Sequence, residues 1–193
     1  MKLIYNFYMI ECVSEAIVLG WENLKEQDRR VFLFTRDYGK ISAKATSAQK
    51  SVSKLAAHLE PFNLITVRLV SKKDVFDAGG FHLTDALLID SAGGLKSDAG
   101  QLKNALQVYD LINRSIPEGV PDGRLWEILE DVRGKKESYR LADALRLLGF
   151  DISYAVCELC QGVKPEYFFP KNNFFVCGHC KFASGSKDLI SII

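Results

Sequence analysis

Four cysteines in two pairs, Cys157-Glu-Leu-Cys160 and Cys177-Gly-His-Cys180, carry the strongest chemical signal in this chain. Each pair sets two thiols on one tight turn, and the sixteen residues between the pairs are a zinc-ribbon spacing. Tyr167-Phe-Phe169 and Phe174-Phe-Val176 read as two short strands joined by a turn at Pro170-Lys-Asn-Asn173, a hairpin that brings both knuckles to one ion. Four thiolates make a closed tetrahedral site, so the expected ion is a structural Zn2+ with no open position for water or substrate. An iron–sulfur cluster is the alternative that four cysteines also suit. Disulfides are not expected in a reducing compartment. His179 lies between two ligands and reads as solvent-facing, while Cys12 is unpaired and reads as a small buried or tail residue.

No comparable pattern supports catalysis. His58, His82 and His179 have no partner nearby in sequence, and neither a glycine-rich phosphate loop nor a Ser/His/Asp pattern occurs. The chain is therefore expected not to be an enzyme.

The elements that must position these residues change period halfway along. Lys40 to Ala45 alternates, with Ile41, Ala43 and Ala45 on an inner face and Lys40, Ser42 and Lys44 on a basic outer face. Asn63 to Ser71 repeats the scheme with Arg68 outward, and further strands are expected at Ser14 to Trp21, Arg30 to Thr35 and from about Val75 towards Leu83. Ser53 to Leu59 suits a short helix capped by Ser53 and stopped by Pro61. Five strands with one helix before the fourth predict a small OB-type barrel. Beyond it, helical spacing of Leu102, Ala105, Leu106, Tyr109 and Ile112, of Leu125, Ile128, Leu129 and Val132, and of Leu141, Ala144, Leu145 and Leu148 predicts three amphipathic helices, the last closed by Gly149. The expected architecture is α+β: an extension over 1–13, an OB-fold barrel over 14–84, a helical domain over 85–156, a four-cysteine zinc ribbon over 157–182 and a short tail over 183–193.

With 193 residues, 48% of them hydrophobic, the chain can bury a substantial core. No apolar run reaches the ~18 residues of a membrane span, and the opening Leu3 to Val13 stretch lacks a cleavage pattern, so a soluble, cytoplasmic protein is expected. The net charge of +1 conceals an asymmetry: eight basic against two acidic residues from Arg36 to Lys73, and nine against fourteen from Asp74 to Val156. Such a basic block has the form of a nucleic-acid footprint, a solvated basic face being the alternative.

Several segments resemble the RecO family of bacterial recombination mediators. They are Ala16-Ile-Val-Leu-Gly20, Glu26 with Asp28-Arg29, Leu33-Phe-Thr35 with Gly39-Lys-Ile41, and Lys54-Leu-Ala-Ala-His-Leu59 with Pro61-Phe62. Phe81-His-Leu-Thr84, Leu147-Leu-Gly-Phe150 and the four cysteines follow in that family's order, so the likeness covers residues from about 14 to 182. The resemblance implies an N-terminal OB-fold, a helical domain and a zinc ribbon. It also implies binding of single- and double-stranded DNA, annealing of complementary strands, and work with RecR and single-stranded-DNA-binding protein to load RecA. On that basis Lys40, Lys44 and Arg68, flanked by Arg36, Lys50, Lys54, Lys72 and Lys73, are the expected phosphate contacts. Phe32 and Phe34 share one strand face, where they either stack bases or pack internally. The sequence departs from the family at Arg30, where an apolar residue is usual, in a longer segment before Ser14, and in ending at Ile193 where family members continue with further helix. A zinc-stabilised protein-interaction adaptor and an RNA-binding OB and ribbon protein are the rival readings.

Overall fold

The computed structural model describes residues 10–50, 54–71, 80–134, 140–162, 164–183 and 189–192. It divides into two compact units, one of Met1–Ala92 with Pro117–Trp126, the other of Gly93–Ile116 with Glu127–Ile193.

The first unit contains β1 (Ile10–Asn23), β2 (Arg29–Thr35), β3 (Gly39–Ala45), the short helix α1 (Lys54–His58), β4 (Leu64–Ser71) and β5 (Phe81–Asp90). The strands close a barrel in the order β1-β2-β3-β5-β4, with α1 between the third and fourth, which is the OB arrangement. All pairs are antiparallel except β3 with β5, whose parallel register runs Ala43↔Phe81, Lys44↔His82 and Ala45↔Leu83. The interior follows the alternation of the strands: Val31 and Leu33, Ile41, Ala43 and Ala45, and Ile65, Val67 and Leu69 share one buried cluster. Cys12 belongs to it too, opposite Leu69 on β1. Leu59, following α1, joins the same cluster and Leu55 packs against it.

Two strands differ from the sequence expectation. β1 starts at Ile10 because it is long enough to serve two partners, pairing with β4 from Ile10↔Ser71 and with β2 through Asn23↔Arg29. β5 lies further along than the expected Val75 to Leu83, because its partner β4 is met from Ser71↔Phe81 to Leu64↔Asp90. Residues 72–79, which include the start of that expected strand, and the expected cap Ser53 lie outside the described residues.

Polar contacts tie the connections down. Buried Asp28 accepts a hydrogen bond from the Ser47 N–H at 2.7 Å and an ion pair from Lys44 at 2.8 Å, and Gln49 Nε2 donates to the carbonyls of Leu24 and Asp28 at 3.0 and 2.6 Å. The hydrogen bond from Lys44 and that from Ser47 hold the Asp28 carboxyl below its ordinary range against the opposing effect of burial. Asn63 Nδ2 donates to the carbonyls of Ala57 and His58 at 3.1 and 3.0 Å, satisfying the end of α1. Gly39 adopts φ +69°, and a Cβ there would overlap the Val120 carbonyl.

In the second unit, α2 (Ala99–Ser115) begins at Asp98, whose side chain accepts from the N–H groups of Gly100 and Gln101 at 2.9 and 3.0 Å. Helices α3 (Gly123–Arg133) and α4 (Leu141–Leu147) follow, and Gly149 at φ +89° ends α4 as its position suggested. The fully buried Tyr109 hydroxyl donates to the Leu129 carbonyl at 3.1 Å. Strands β6 (Tyr167–Phe169), β7 (Phe174–Val176) and β8 (Ile190–Ser191) form a sheet in the order β7-β6-β8. Residues 190 and 191, within the expected short tail, pair through Phe168↔Ile190 and Tyr167↔Ser191, with Ile190 buried and Gln107 Nε2 donating to the Ser191 carbonyl at 2.8 Å. Among the described residues no helix is long and apolar enough to cross a membrane.

Replacing Gly39 by alanine imposes both a left-handed backbone on a residue with a Cβ and an overlap with residue 120. The variant is expected to lose roughly 2–4 kcal/mol of stability. Urea denaturation beside a Gly20→Ala control, where a Cβ meets nothing within 4 Å, tests this.

Candidate functional site

The β6–β7 hairpin delivers the two knuckles to one place. Its register runs Tyr167↔Val176 to Phe169↔Phe174, with the turn closed by the Asn173 N–H on the Phe169 carbonyl at 2.9 Å. Asn173 takes φ +57°, a conformation asparagine tolerates better than most residues. The first knuckle is joined to the hairpin by the Glu158 N–H on the Phe175 carbonyl at 2.9 Å and closed by the Gln161 N–H on the Cys157 carbonyl at 2.8 Å. The second closes through the Cys180 and Lys181 N–H groups on the Cys177 carbonyl at 3.2 and 3.0 Å.

The sulfur atoms of Cys157, Cys160, Cys177 and Cys180 all lie within 4.8 Å of one another, and Cys160 Sγ is 3.8 Å from Cys177 Sγ. Ligands at the ~2.3 Å Zn–S distance on tetrahedral corners stand about 3.8 Å apart, so the spacing suits one ion. Cys157 and Cys177 are buried, Cys160 is exposed and Cys180 intermediate. Burial opposes ionisation of Cys157, but backbone N–H donors of Cys177, Cys160 and Leu159, aided by the Cys160 thiol, bring it down to about 6. Cys180 moves the other way, its thiol bonded to Cys177 and crowded by the remaining sulfurs. A cluster in which Cys157 is a ready thiolate and Cys180 resists ionisation beside the other sulfurs is one a cation can neutralise. His179 is exposed, and Lys181 Nζ sits 4.3 Å from the Tyr167 ring centroid. The four cysteines can therefore hold a metal ion.

The basic residues fare differently. Lys40 and Ser42, expected on an outer solvent face, are buried, to 9% and 4% exposure respectively. Segment 117–126 belongs to the same compact unit, and the Gly119 N–H bonds the Lys40 carbonyl at 2.9 Å. Lys44 is half-buried and engaged with Asp28. Arg36 and Arg68 are exposed but ion-paired, with Glu15 at 2.9 Å and Glu11 at 3.4 Å. Lys50 is exposed, the Lys54 side chain is not described, and Lys72 and Lys73 lie outside the described residues. Phe34 is fully buried and Phe32 half-buried, so Phe34 does not offer a face to a base.

Sequence reasoning missed two features of β1 and β2. Arg30 pairs with Glu22 at 2.7 Å, and the Arg29 guanidinium lies 3.8 Å from the Trp21 ring centroid. Glu22 and Arg30 flank the loop symmetrically, so an antiparallel register drawn through residues 24–28 would have opposed them, as the structure does.

A closed five-stranded barrel with a helix before its fourth strand, followed by helices and a four-cysteine cluster, defines an α+β protein of the OB-fold class with a metal-competent ribbon. Residues 9–77 match the family model described as Recombination protein O N terminal. The chain is 30% identical over 179 residues to the DNA repair protein RecO of Geobacter metallireducens, covering 86% of this chain and 71% of the relative. It is 28% identical over 155 residues to that of Geobacter sulfurreducens, covering 76% and 62%. To that of a Thermoanaerobacter species it is 26% identical over 186 residues, covering 87% and 70%. The chain belongs to the RecO family of DNA repair proteins.

Burial lowers the ionisation range of the Lys40 ammonium, with Glu118 acting in the opposite direction. Lys40→Glu is accordingly expected to act on folding before it acts on any ligand, reducing the thermal midpoint by on the order of 5 °C or more. Lys50→Glu, at an exposed position, should leave the midpoint where it is. Parallel thermal melts followed by circular dichroism decide between the structural and the surface lysine.

Proposed function

We propose that this chain is a non-catalytic DNA repair and recombination mediator of the cytoplasm. It binds single- and double-stranded DNA, anneals complementary strands, and helps load recombinase together with RecR and single-stranded-DNA-binding protein. The observation that carries this reading is membership of the RecO family, with a model match lying on the barrel. Annealing releases its own free energy through pairing and stacking. A mediator therefore has only to hold two polyanions together and leave their bases accessible.

In this reading the barrel strands β1 to β5 bind the DNA strands, while helices α2 to α4 and the ribbon over 157–182 orient partners. Arg36, Lys50, Lys54, Arg68, Lys72 and Lys73 are the proposed phosphate contacts. Lys40 and Lys44, placed among them by the sequence, serve chiefly to hold β3 and its neighbouring loop. Cys157, Cys160, Cys177 and Cys180 are the proposed ligands of one Zn2+. A soft thiolate set favours that metal, which would supply cross-linking of the knuckles and no reaction chemistry.

Elemental analysis of protein purified without chelator should find one zinc per chain. Acidification should release it, and only below the range near pH 6 in which the metal-free Cys157 thiolate takes up its proton, because proton and ion compete for the same sulfurs. Iron with sulfide, or four free thiols without metal at neutral pH, would refute the assignment.

Annealing of an end-labelled complementary pair, followed by fluorescence, should be accelerated without ATP, on bare strands and on strands coated with single-stranded-DNA-binding protein. High salt should suppress the effect by screening the phosphate contacts. A rate no faster than spontaneous on bare strands rejects the mediator reading. Absence of all DNA and RNA binding at low salt turns the assignment towards the adaptor, and preference for RNA over both DNA forms towards the RNA-binding reading.

A further inference from the structure

Three exposed ion pairs share one organisation. Glu11, Glu15 and Glu22 all belong to β1, and each holds a guanidinium from outside that strand: Arg68 of β4 at 3.4 Å, Arg36 just past β2 at 2.9 Å, and Arg30 of β2 at 2.7 Å. The register explains the reach. Glu22 lies directly opposite Arg30, and Glu11 is diagonal to Arg68, which faces Val13. For Glu15 and Arg36 the backbone makes a second link, the Arg36 N–H donating to the Glu15 carbonyl at 2.9 Å.

Every side chain in the three pairs is between 43% and 62% exposed, so solvent and a large polyanion can reach them. Lys44 with Asp28 is a different kind of pair, because the Asp28 side chain is only 6% exposed and also accepts the Ser47 N–H. Exposed pairs contribute little to stability. Their chemistry has another consequence. A guanidinium presents the same fork of donors to a carboxylate and to a phosphate, so the two anions contend for one set of N–H groups. A phosphodiester approaching these arginines meets a guanidinium whose Nη1 is already engaged, and either draws it from the carboxylate or binds its remaining N–H groups beside that negative charge.

We propose that Glu11, Glu15 and Glu22 are built-in competitors of nucleic-acid phosphates for Arg68, Arg36 and Arg30, and that they set how tightly the barrel holds a strand. The inference rests on the DNA-binding reading above and adds to it the residues that limit affinity. It assigns Arg30 to the same phosphate-facing set as Arg36 and Arg68. A barrel restrained in this way binds a strand strongly enough to pair it and weakly enough to leave the duplex.

The test is fluorescence anisotropy of a labelled oligothymidylate titrated with the full chain across a series of salt concentrations. Wild type is compared with the triple variant Glu11→Gln, Glu15→Gln, Glu22→Gln, and with Glu15→Gln, Arg36→Gln and their combination. The triple variant should melt like wild type and bind tighter by on the order of tenfold at low salt, up to about fivefold per pair released. Its salt slope should steepen by about 0.7 for each arginine that gains a phosphate. Glu15→Gln should tighten binding in the wild-type background and have no effect once Arg36 is glutamine, because the two act as a pair. A triple variant no tighter than a wild type that binds overturns the inference and leaves the DNA reading intact. So does a Glu15→Gln gain that persists undiminished without Arg36, since that is a general charge effect. Binding by neither wild type nor triple variant removes the DNA reading and the inference with it.

Discussion

Three residue pairs close the barrel. Antiparallel hairpin and strand pairing can build β2-β3, β1-β2, β1-β4 and β4-β5 without constraining the ends of the sheet, but only the parallel contact of Ala43 to Ala45 with Phe81 to Leu83 joins those ends. Without it two edges would be left with unpaired backbone groups. The contact is short because β5 leaves β3 after Leu83 and continues to Asp90 against β4 alone, with the register shifted between Arg68 and Leu69. Alanines at 43 and 45 bring little bulk into the interior on the β3 side of the seam.

Strand pairing also governs the charges. The excess of basic residues between Arg36 and Lys73 is a property of composition, and folding distributes it unevenly. Lys40 is buried, Lys44 is bound to an aspartate of the β1–β2 loop, and the arginines at 36 and 68 are matched by glutamates of β1. A stripe of like charge read along the chain becomes, around the barrel, a set of cross-strand pairs. The field that a phosphate backbone meets is accordingly weaker than a count of lysines and arginines suggests, and it depends on how readily exposed pairs part.

The ribbon depends on a different kind of closure. The β6–β7 hairpin alone sets the two knuckles side by side, and Phe168, 4.9 Å from Phe150 and 5.0 Å from Phe175 between ring centroids, anchors it in the second unit. The β8 strand then adds residues from the far side of the knuckles to the same sheet, with the Ile192 N–H on the Glu166 carbonyl at 2.9 Å. An ion held by the four sulfurs would thus tie together segments that the sheet has already drawn close. That is the division of labour expected where a metal and a small hydrophobic cluster share the stabilisation.

The sequence by itself determined the features that depend on local spacing. Alternation located the inner faces of β3 and β4, helical recurrence located α2 to α4, Gly149 marked a helix end, and the two Cys-x-x-Cys pairs announced a cluster that the fold brings within 4.8 Å. Each of these is a relation between residues a few positions apart, or a repeated turn, so chain geometry carries it. Tertiary structure alone decided that the second face of β3 is largely covered, because alternation separates two faces without saying what packs on the second. It also placed β5 from Phe81 to Asp90, since Leu87-Leu88-Ile89 does not alternate and only the β4 register fixes it. The pairing of Glu11 and Glu15 with arginines 57 and 21 residues away was beyond sequence for the same reason. A charge has no local signature of its partner, and the register of β1 with β2 and β4 is what chooses one.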